Sequence, residues 1–246
     1  AQLEARLDAR LINRSTRRLS ITEVGQGYFE RCKDVLADID EMESAVGDAT
    51  AAARGTLRIN APMSFGTLHL SRAIAEYQCE QPEVSVDLTL DDRVVDIVSE
   101  GYDMAIRIGR LRESSLVARQ LAPIRLVVCG AADYLAKQGV PNTPQDLKDH
   151  ECLRYTLSSY SDRWRFKDGE NAIDVPVSGK FSASNGDAIR LAAMAGRGLA
   201  LQPTFIVGDD IREGRLQLVL EDFEVEPMGL YAVYAHRKYL SGKVRT

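Results

Sequence analysis

An α/β protein with mostly parallel sheets in two lobes, led by a basic strand-turn-strand and a long helix, is what this sequence predicts. Three observations carry that expectation. From residue 56 onward, short apolar strand patterns alternate with amphipathic helical ones. The alternating stretch, 56–246, is long for a single sheet, which argues two lobes. Ahead of it, RLINRSTRRLSIT (Arg10–Thr22) runs directly into an apolar heptad.

Ser20 to Glu23 reads S-x-x-E, a candidate capping box, with Thr22 the alternative cap of the helix that follows. Within that helix Tyr28, Cys32, Val35, Ile39, Met42, Val46 and Ala49 recur at alternating spacings of four and three. Their mean period of about 3.5 is that of a coiled-coil seam. A helix packed on its own domain remains the alternative, but acids on the remaining faces favour a partner helix. ATAAARG (Ala49–Gly55) reads as a linker.

Beyond the linker, Thr56–Ala61 is a strand stopped by Pro62, and Phe65–Gln81 an amphipathic helix ended by Pro82. Val84, Val86, Leu88 and Leu90 alternate as a half-exposed strand. Val94–Glu100 is expected as a helix closed by Gly101, and Met104–Ile108 and Leu126–Cys129 as central strands. Helix Ala131–Lys137, a hairpin turning at Asp168-Gly169, helix Asp187–Ala195 and strand Leu199–Gln202 follow. Helix Phe205–Glu213 and strands Gln217–Leu220 and Leu230–Ala235 complete the pattern.

Charge is segregated. Residues 1–22 carry Arg6, Arg10, Arg14, Arg17 and Arg18 against Glu4 and Asp8, whereas 23–48 hold eight acids against Arg31 and Lys33. A basic hook on a chain of net charge −5 points to local contact with nucleic acid, because clustered guanidinium groups hold phosphates whatever the total charge. A solvated basic turn is the alternative on charge alone. No apolar run is long enough to span a membrane, and AQLEARLDAR has no signal-peptide core. The chain lacks an initiator Met and reads as beginning inside an element.

Cys32, Cys79, Cys129 and Cys152 are far apart, like His69, His150 and His236, so neither a disulfide framework nor a metal site is expected. The cysteines read as scattered buried thiols of a reducing cytoplasm. Nucleophile-elbow, phosphate-loop and zinc-protease motifs are absent, and Gly196-Arg197-Gly198 fails the dinucleotide pattern. Asp91-Asp92 and Asp209-Asp210 read as surface loop acids rather than catalytic pairs. No enzymatic activity and no cofactor are expected.

Four further stretches complete the picture. They are TLRINAPMSFG (Thr56–Gly66), GYDMAIRIGRLRESSLVARQL (Gly101–Leu121), VVCGAADYLAKQGVP (Val127–Pro141) and SNGDAIRLAAMAGRGLALQPTFIVGDDIREGRL (Ser184–Leu216). In this order, behind the basic wing, the chain resembles the LysR-type transcriptional regulators over essentially its whole length. The resemblance implies an α/β, two-lobed effector domain of type 2 periplasmic-binding-protein fold, preceded by a partial winged helix-turn-helix and a long linker helix. It divides the chain into 1–21 (end of the winged helix-turn-helix), 22–54 (linker and dimerisation helix), 55–124 with 229–246 (lobe I) and 125–228 (lobe II). The chain is expected to cross between lobes near Pro123–Arg125 and to return near Glu226–Gly229.

The same resemblance implies a cytoplasmic regulator that binds double-stranded DNA through its complete winged helix-turn-helix. It also implies a homodimer or homotetramer, dimerising through Tyr28, Cys32, Val35, Ile39, Met42 and Val46. Arg17 and Arg18, at the turn of the wing, are the candidate DNA contacts, and Arg14 is a further phosphate contact or a partner of Glu4 or Asp8. Pro62 to Gly66 sits where strand gives way to helix, so Ser64, Phe65 and Gly66 are candidates for holding an anionic effector at free N–H groups. A plain helix start is the alternative. Arg107, a charge between Ile106 and Ile108, either binds such an anion or pairs with Asp103 or another acid. By position within the resemblance, Thr156, Ser184, Asn185 and Pro203 line the second lobe. The helix N-terminus and Arg107 point to an organic acid as co-inducer. A solute-binding protein of the same fold with no role at DNA is the alternative function.

Overall fold

The computed structural model describes residues 2–14, 19–46, 53–111, 115–158, 161–169, 171–235 and 242–245. Packing divides the chain into two units, Ala1–Gly55 with Lys238–Thr246, and Thr56–Arg237. The last residues thus group with the N-terminal unit, not with lobe I as the expected 229–246 segment required.

In the N-terminal unit, helix α1 (Gln2–Leu7) leads to strands β1 (Ile12–Arg14) and β2 (Leu19–Ile21), which pair antiparallel with Ile12 opposite Ile21. The Glu4 carboxylate accepts from the Ile12 and Leu11 N–H groups at 3.1 and 3.0 Å, tying helix to strand. Those two bonds, Ile12's first, hold its carboxyl below the usual range. Helix α2 (Glu23–Val46) is capped by Thr22, whose Oγ1 accepts from the Gly25 N–H at 2.9 Å. Ser20 is instead committed to β2. The linker expected over Ala49–Gly55 falls largely outside the described residues, and Gly55 already opens the next strand.

In the second unit, β3 (Gly55–Ala61) runs through Pro62 into one helical stretch: α3 (Met63–Phe65), a π-helical turn (Gly66–Leu70) and α4 (Ser71–Glu80). Then come β4 (Val84–Leu90), β5 (Met104–Gly109), β6 (Leu116–Ile124), β7 (Leu126–Gly130), α5 (Ala132–Gln138) and a 3-10 turn (Pro144–Asp149). Next are β8 (Cys152–Tyr155), β9 (Arg163–Asp168), β10 (Asn171–Pro176), β11 (Ser182–Ala183), α6 (Gly186–Met194), β12 (Leu199–Pro203) and α7 (Thr204–Arg212). Strands β13 (Gln217–Val219), β14 (Glu224–Val225) and β15 (Met228–Ala235) and helix α8 (Gly242–Arg245) end the chain.

Two five-stranded sheets result, ordered β4-β3-β5-β15-β6 and β11-β8-β12-β7-β13, with β10-β9-β14 a smaller third. The chain leaves the first sheet at Ile124, enters the second at Leu126 and returns at Met228. Both sheets are mixed rather than mostly parallel. β3 pairs parallel with β5, and β8 with β11 and β12, but β15 and β7 are antiparallel to their partners. The reason lies in the crossings. β7 and β15 start at the crossover and run away from it, whereas the parallel strands run towards it.

The expected helix at Val94–Glu100 is absent. Only a single turn forms, capped by the Asp96 carboxylate, which accepts from the Val98 and Ser99 N–H groups at 3.0 and 3.3 Å, and ended at once by Gly101 at a φ of 73°. Apolar residues fill both faces of the second sheet. Trp164, Phe166, Leu147 and Leu199 pack on one side, and Ile189, Ala193, Val207 and Leu216 on the other.

Candidate functional site

The carboxyl ends of β3 and β11 each release a helix, and polar groups at the two helix starts meet between the sheets. Ser64, buried at the start of the first helix, donates through Oγ to Asp187 Oδ2 at 2.7 Å. Asn185 caps α6, its Oδ1 accepting from the Ala188 N–H at 3.1 Å. Its Nδ2 donates to Asp92 Oδ2 at 3.3 Å and to the Met63 sulfur at 3.5 Å. Asp92 Oδ1 in turn accepts from the Met63 N–H at 2.9 Å. Ser64 and Asp92 follow strands of the first sheet, and Asn185 and Asp187 a strand of the second. The two pairs therefore bridge the lobes.

Aromatic rings bridge them too. Phe65 meets Phe205 of α7 edge to face at 5.5 Å, and His69 lies 5.7 Å from the same ring. Below them, a Cβ on Gly186 would stand 3.4 Å from both Gln202 Oε1 and Ser64 Oγ. Gln202 is only 2% exposed, and among the described residues its Oε1 has no hydrogen-bond partner. Tyr155 is half-buried within the field of Asp92. Burial first and that charge second push its phenol above the usual range, so it stays protonated.

Of the residues expected here, Ser64, Phe65 and Asn185 are brought together. Gly66 is buried for another reason: a Cβ there would lie 2.2 Å from Leu90 Cδ2, so it serves packing against β4. Thr156 and Ser184 are exposed beside β8 and β11, and Pro203 ends β12 and begins α7. Arg107 does not pair with Asp103. Its guanidinium donates to Asn60 Oδ1, the Ile106 carbonyl and the Val95 carbonyl, while Asp103 accepts from the Arg58 N–H. Desolvation lowers the Arg107 pKa, opposed by the charges of Asp91 and Glu100.

The paired acids are not uniform surface groups. Asp91 binds Arg93, and Asp92 faces the crevice. Asp210 is fully buried, held by the Arg190 and Arg215 guanidinium groups. Sequence reasoning missed Asp92, Asp187, Gln202 and Phe205. Only Asp187 carried a signal, lying two residues after a cap. Nor are all four thiols buried: Cys129 and Cys152 are, with burial pushing each up to about 12, while Cys79 is exposed.

On α2, Tyr28 and Cys32 are half-buried and Val35 and Ile39 exposed, while the side chains of Met42 and Val46 lie outside the described residues. Val24, Phe29 and Leu36 add to this seam, at 60%, 49% and 60% exposure. Arg17, Arg18 and the side chain of Arg14 also lie outside the described residues.

The family model for the LysR substrate binding domain matches residues 50–246. An HTH-type transcriptional regulator of Haemophilus influenzae is 32% identical over 244 residues, covering 99% of this chain and 85% of the relative. The chain belongs to the LysR-type transcriptional regulators. The Escherichia coli activator AaeR is 30% identical over 245 residues, covering 100% of this chain and 79% of that one. Among solved structures, CrgA of Neisseria meningitidis, a LysR-type regulator, superposes with a TM-score of 0.71 at 28% identity, covering 99% of this chain and 83% of that one. The full-length Vibrio cholerae virulence activator AphB gives 0.70 at 26%, with the same coverage.

The chain is thus a DNA-binding transcriptional regulator with a two-lobed effector-binding domain. Its matches run through the wing and α2, and nothing in them favours a solute-binding protein. The relatives are regulators, not enzymes. Among the described residues no helix is long and apolar enough to cross a membrane, and no cluster suits a metal ion.

Proposed function

We propose that the regulator takes its small-molecule effector in the crevice between the two sheets, at Ser64, Phe65, Asp92, Asn185 and Asp187. The observation that carries this reading is the pair of cross-lobe bonds, Ser64 to Asp187 and Asn185 to Asp92. They lie where open α/β sheets bind ligands, outside the carboxyl ends of strands. A ligand that exchanges these bonds for its own biases the angle between lobes joined only at residues 124–126 and 226–228. The regulator works in the cytoplasm as a homodimer or homotetramer. Its wing arginines Arg14, Arg17 and Arg18 contact DNA phosphates or the minor groove, and α2 pairs with α2 of a second copy through its apolar seam.

A thermal-shift screen of small metabolites tests the crevice. A ligand at about 100 times its Kd adds about 2.7 kcal/mol to stability. Any shift must disappear in Gly186→Leu, whose Cβ would lie 3.4 Å from Ser64 Oγ and Gln202 Oε1 and push aside Ile206 Cδ1, 2.6 Å away, with an unchanged ligand-free melting temperature showing that the variant folds. A shift that survives moves the site elsewhere. For α2, Phe29→Ala with Leu36→Ala is expected to release monomers in sedimentation. Each truncation removes about 1.5–3 kcal/mol of burial from a paired seam. An unchanged oligomer assigns the contact to another face.

A further inference from the structure

We propose that the effector accepted by this crevice is a small organic cation, an amine or guanidinium compound, rather than an organic acid. This rests on the crevice being the effector site. The charged groups at the crevice are both carboxylates, each taking a neutral donor from the opposite lobe. Asp187 accepts one bond, from Ser64, and Asp92 accepts two, from Met63 and Asn185. An ionised carboxylate takes about four, so most of the capacity of Asp187 is unused. Gln202 supplies the independent sign that donors are wanted. Its Oε1 is buried, without a partner among the described residues, and lies, like Ser64 Oγ, 3.4 Å from where a Cβ on Gly186 would stand, a spot that Ile206 Cδ1 closes at 2.6 Å. A buried acceptor left unpaired is costly, and a ligand N–H reaching it removes that cost.

No guanidinium or ammonium among the described residues forms an ion pair with Asp92 or Asp187. The neighbouring arginines are engaged elsewhere: Arg93 with Asp91, Arg190 with Asp210, and Arg107 with Asn60 and two carbonyls. Arg190, one turn along α6 from Asp187, feels its charge but spends its fork on Asp210. At the helix N-terminus, where an anion was expected, two carboxylates of the protein already stand. Asp92 takes the Met63 N–H and Asp187 takes the Ser64 hydroxyl. An acid would bring a third negative charge against these two, whereas an ammonium or guanidinium group can take the place of the Ser64 and Asn185 donors with charged ones of its own.

The test is isothermal titration of the whole chain with agmatine and 1,4-diaminobutane, against succinate and butane-1,4-diol as acidic and neutral probes of similar length. Binding of an amine probe, weakened tenfold or more by both Asp187→Asn and Asp92→Asn, is the expected result. The ligand-free melting temperatures of both variants, held near that of the parent, show that neither has merely unfolded. Amine affinity should also fall with added salt. Succinate or the diol binding in preference, or amine binding indifferent to both substitutions, overturns the proposal, as does the absence of amine binding at millimolar concentration. Gly186→Leu, its ligand-free melting temperature held near that of the parent although Ile206 must give way, separates the two failures. Succinate binding that is lost in that variant overturns the ligand class but keeps the crevice, whereas binding of any probe that survives it overturns the crevice as well.

Discussion

Asp187 and Asp210 belong to adjacent helices of one lobe, α6 and α7, yet they end in opposite circumstances. Asp210 is fully buried, with two guanidinium forks closing on it and the backbone of Arg215 and Leu216 returning to its carbonyl. Asp187 is half-buried and accepts one hydroxyl from the opposite lobe. The first arrangement leaves nothing for a ligand to gain. The second holds a charge whose neutralisation is still open. A carboxylate in the core of this lobe fixes the helices, and one at its edge is available for exchange.

Breaking the buried clamp gives the largest effect. Asp210→Ala leaves the partly exposed Arg190 without its anion and Arg215 with Glu213 alone, and about 2 kcal/mol of stability should be lost. Urea unfolding of the parent and the variant measures it directly. Loss below about 1 kcal/mol would mean that water reaches the arginines as readily as the carboxylate does.

Acid titration sharpens the same contrast. The Arg190 hydrogen bonds hold the Asp210 pKa below its ordinary value of 3.8 against the opposing pull of desolvation, with Arg215 adding to the lowering. Such a group stabilises the fold above its unfolded pKa, and that contribution is lost as pH falls through the lower folded value. Between pH 5 and 2, the parent should therefore lose stability more steeply than Asp210→Asn, as followed by the melting temperature at each pH.

Asp187→Ala should cost about 1 kcal/mol or less, the net worth of one partly solvated hydrogen bond, although it abolishes the cross-lobe contact of Ser64. A cost near that of Asp210→Ala would make Asp187 a structural group. A similarly small effect is expected at a third polar pair. Tyr134 lies 3.2 Å from His150 Nδ1, accepts from the Glu151 N–H at 3.0 Å, and in Tyr134→Phe should lose about 1 kcal/mol. Burial depresses the His150 pKa against the pull of Asp146 and Asp149. Its neutral form therefore supports the fold above about pH 6.5, and that support declines as pH falls further.

Apolar side chains divide in the same way. Ile189, Ala193 and Val207 of α6 and α7 vanish into the sheet, whereas Val24, Val35, Leu36 and Ile39 of α2 stay exposed in a single copy. The 3.5-residue period of α2 was legible without any structure, because a seam announces itself by spacing alone. Its true width was not. Phe29 and Leu36 sit one position beyond the seam residues, and only exposure shows that they belong to the same surface.

The sequence by itself determined the family, the α/β alternation and the capped long helix behind a basic strand pair. Those features are local, written in periodicity, turn residues and motif order. Tertiary structure alone decided the direction of β7 and β15, because strand direction follows from where the chain re-enters a sheet. It likewise decided which acids matter. Asp92 and Asp187 are 95 positions apart in the chain, and Asp209-Asp210 looks the same on paper as Asp91-Asp92. Whether a carboxylate meets an arginine, a serine or an open crevice depends on which helices the fold sets side by side, and a linear pattern of charges contains no term for that.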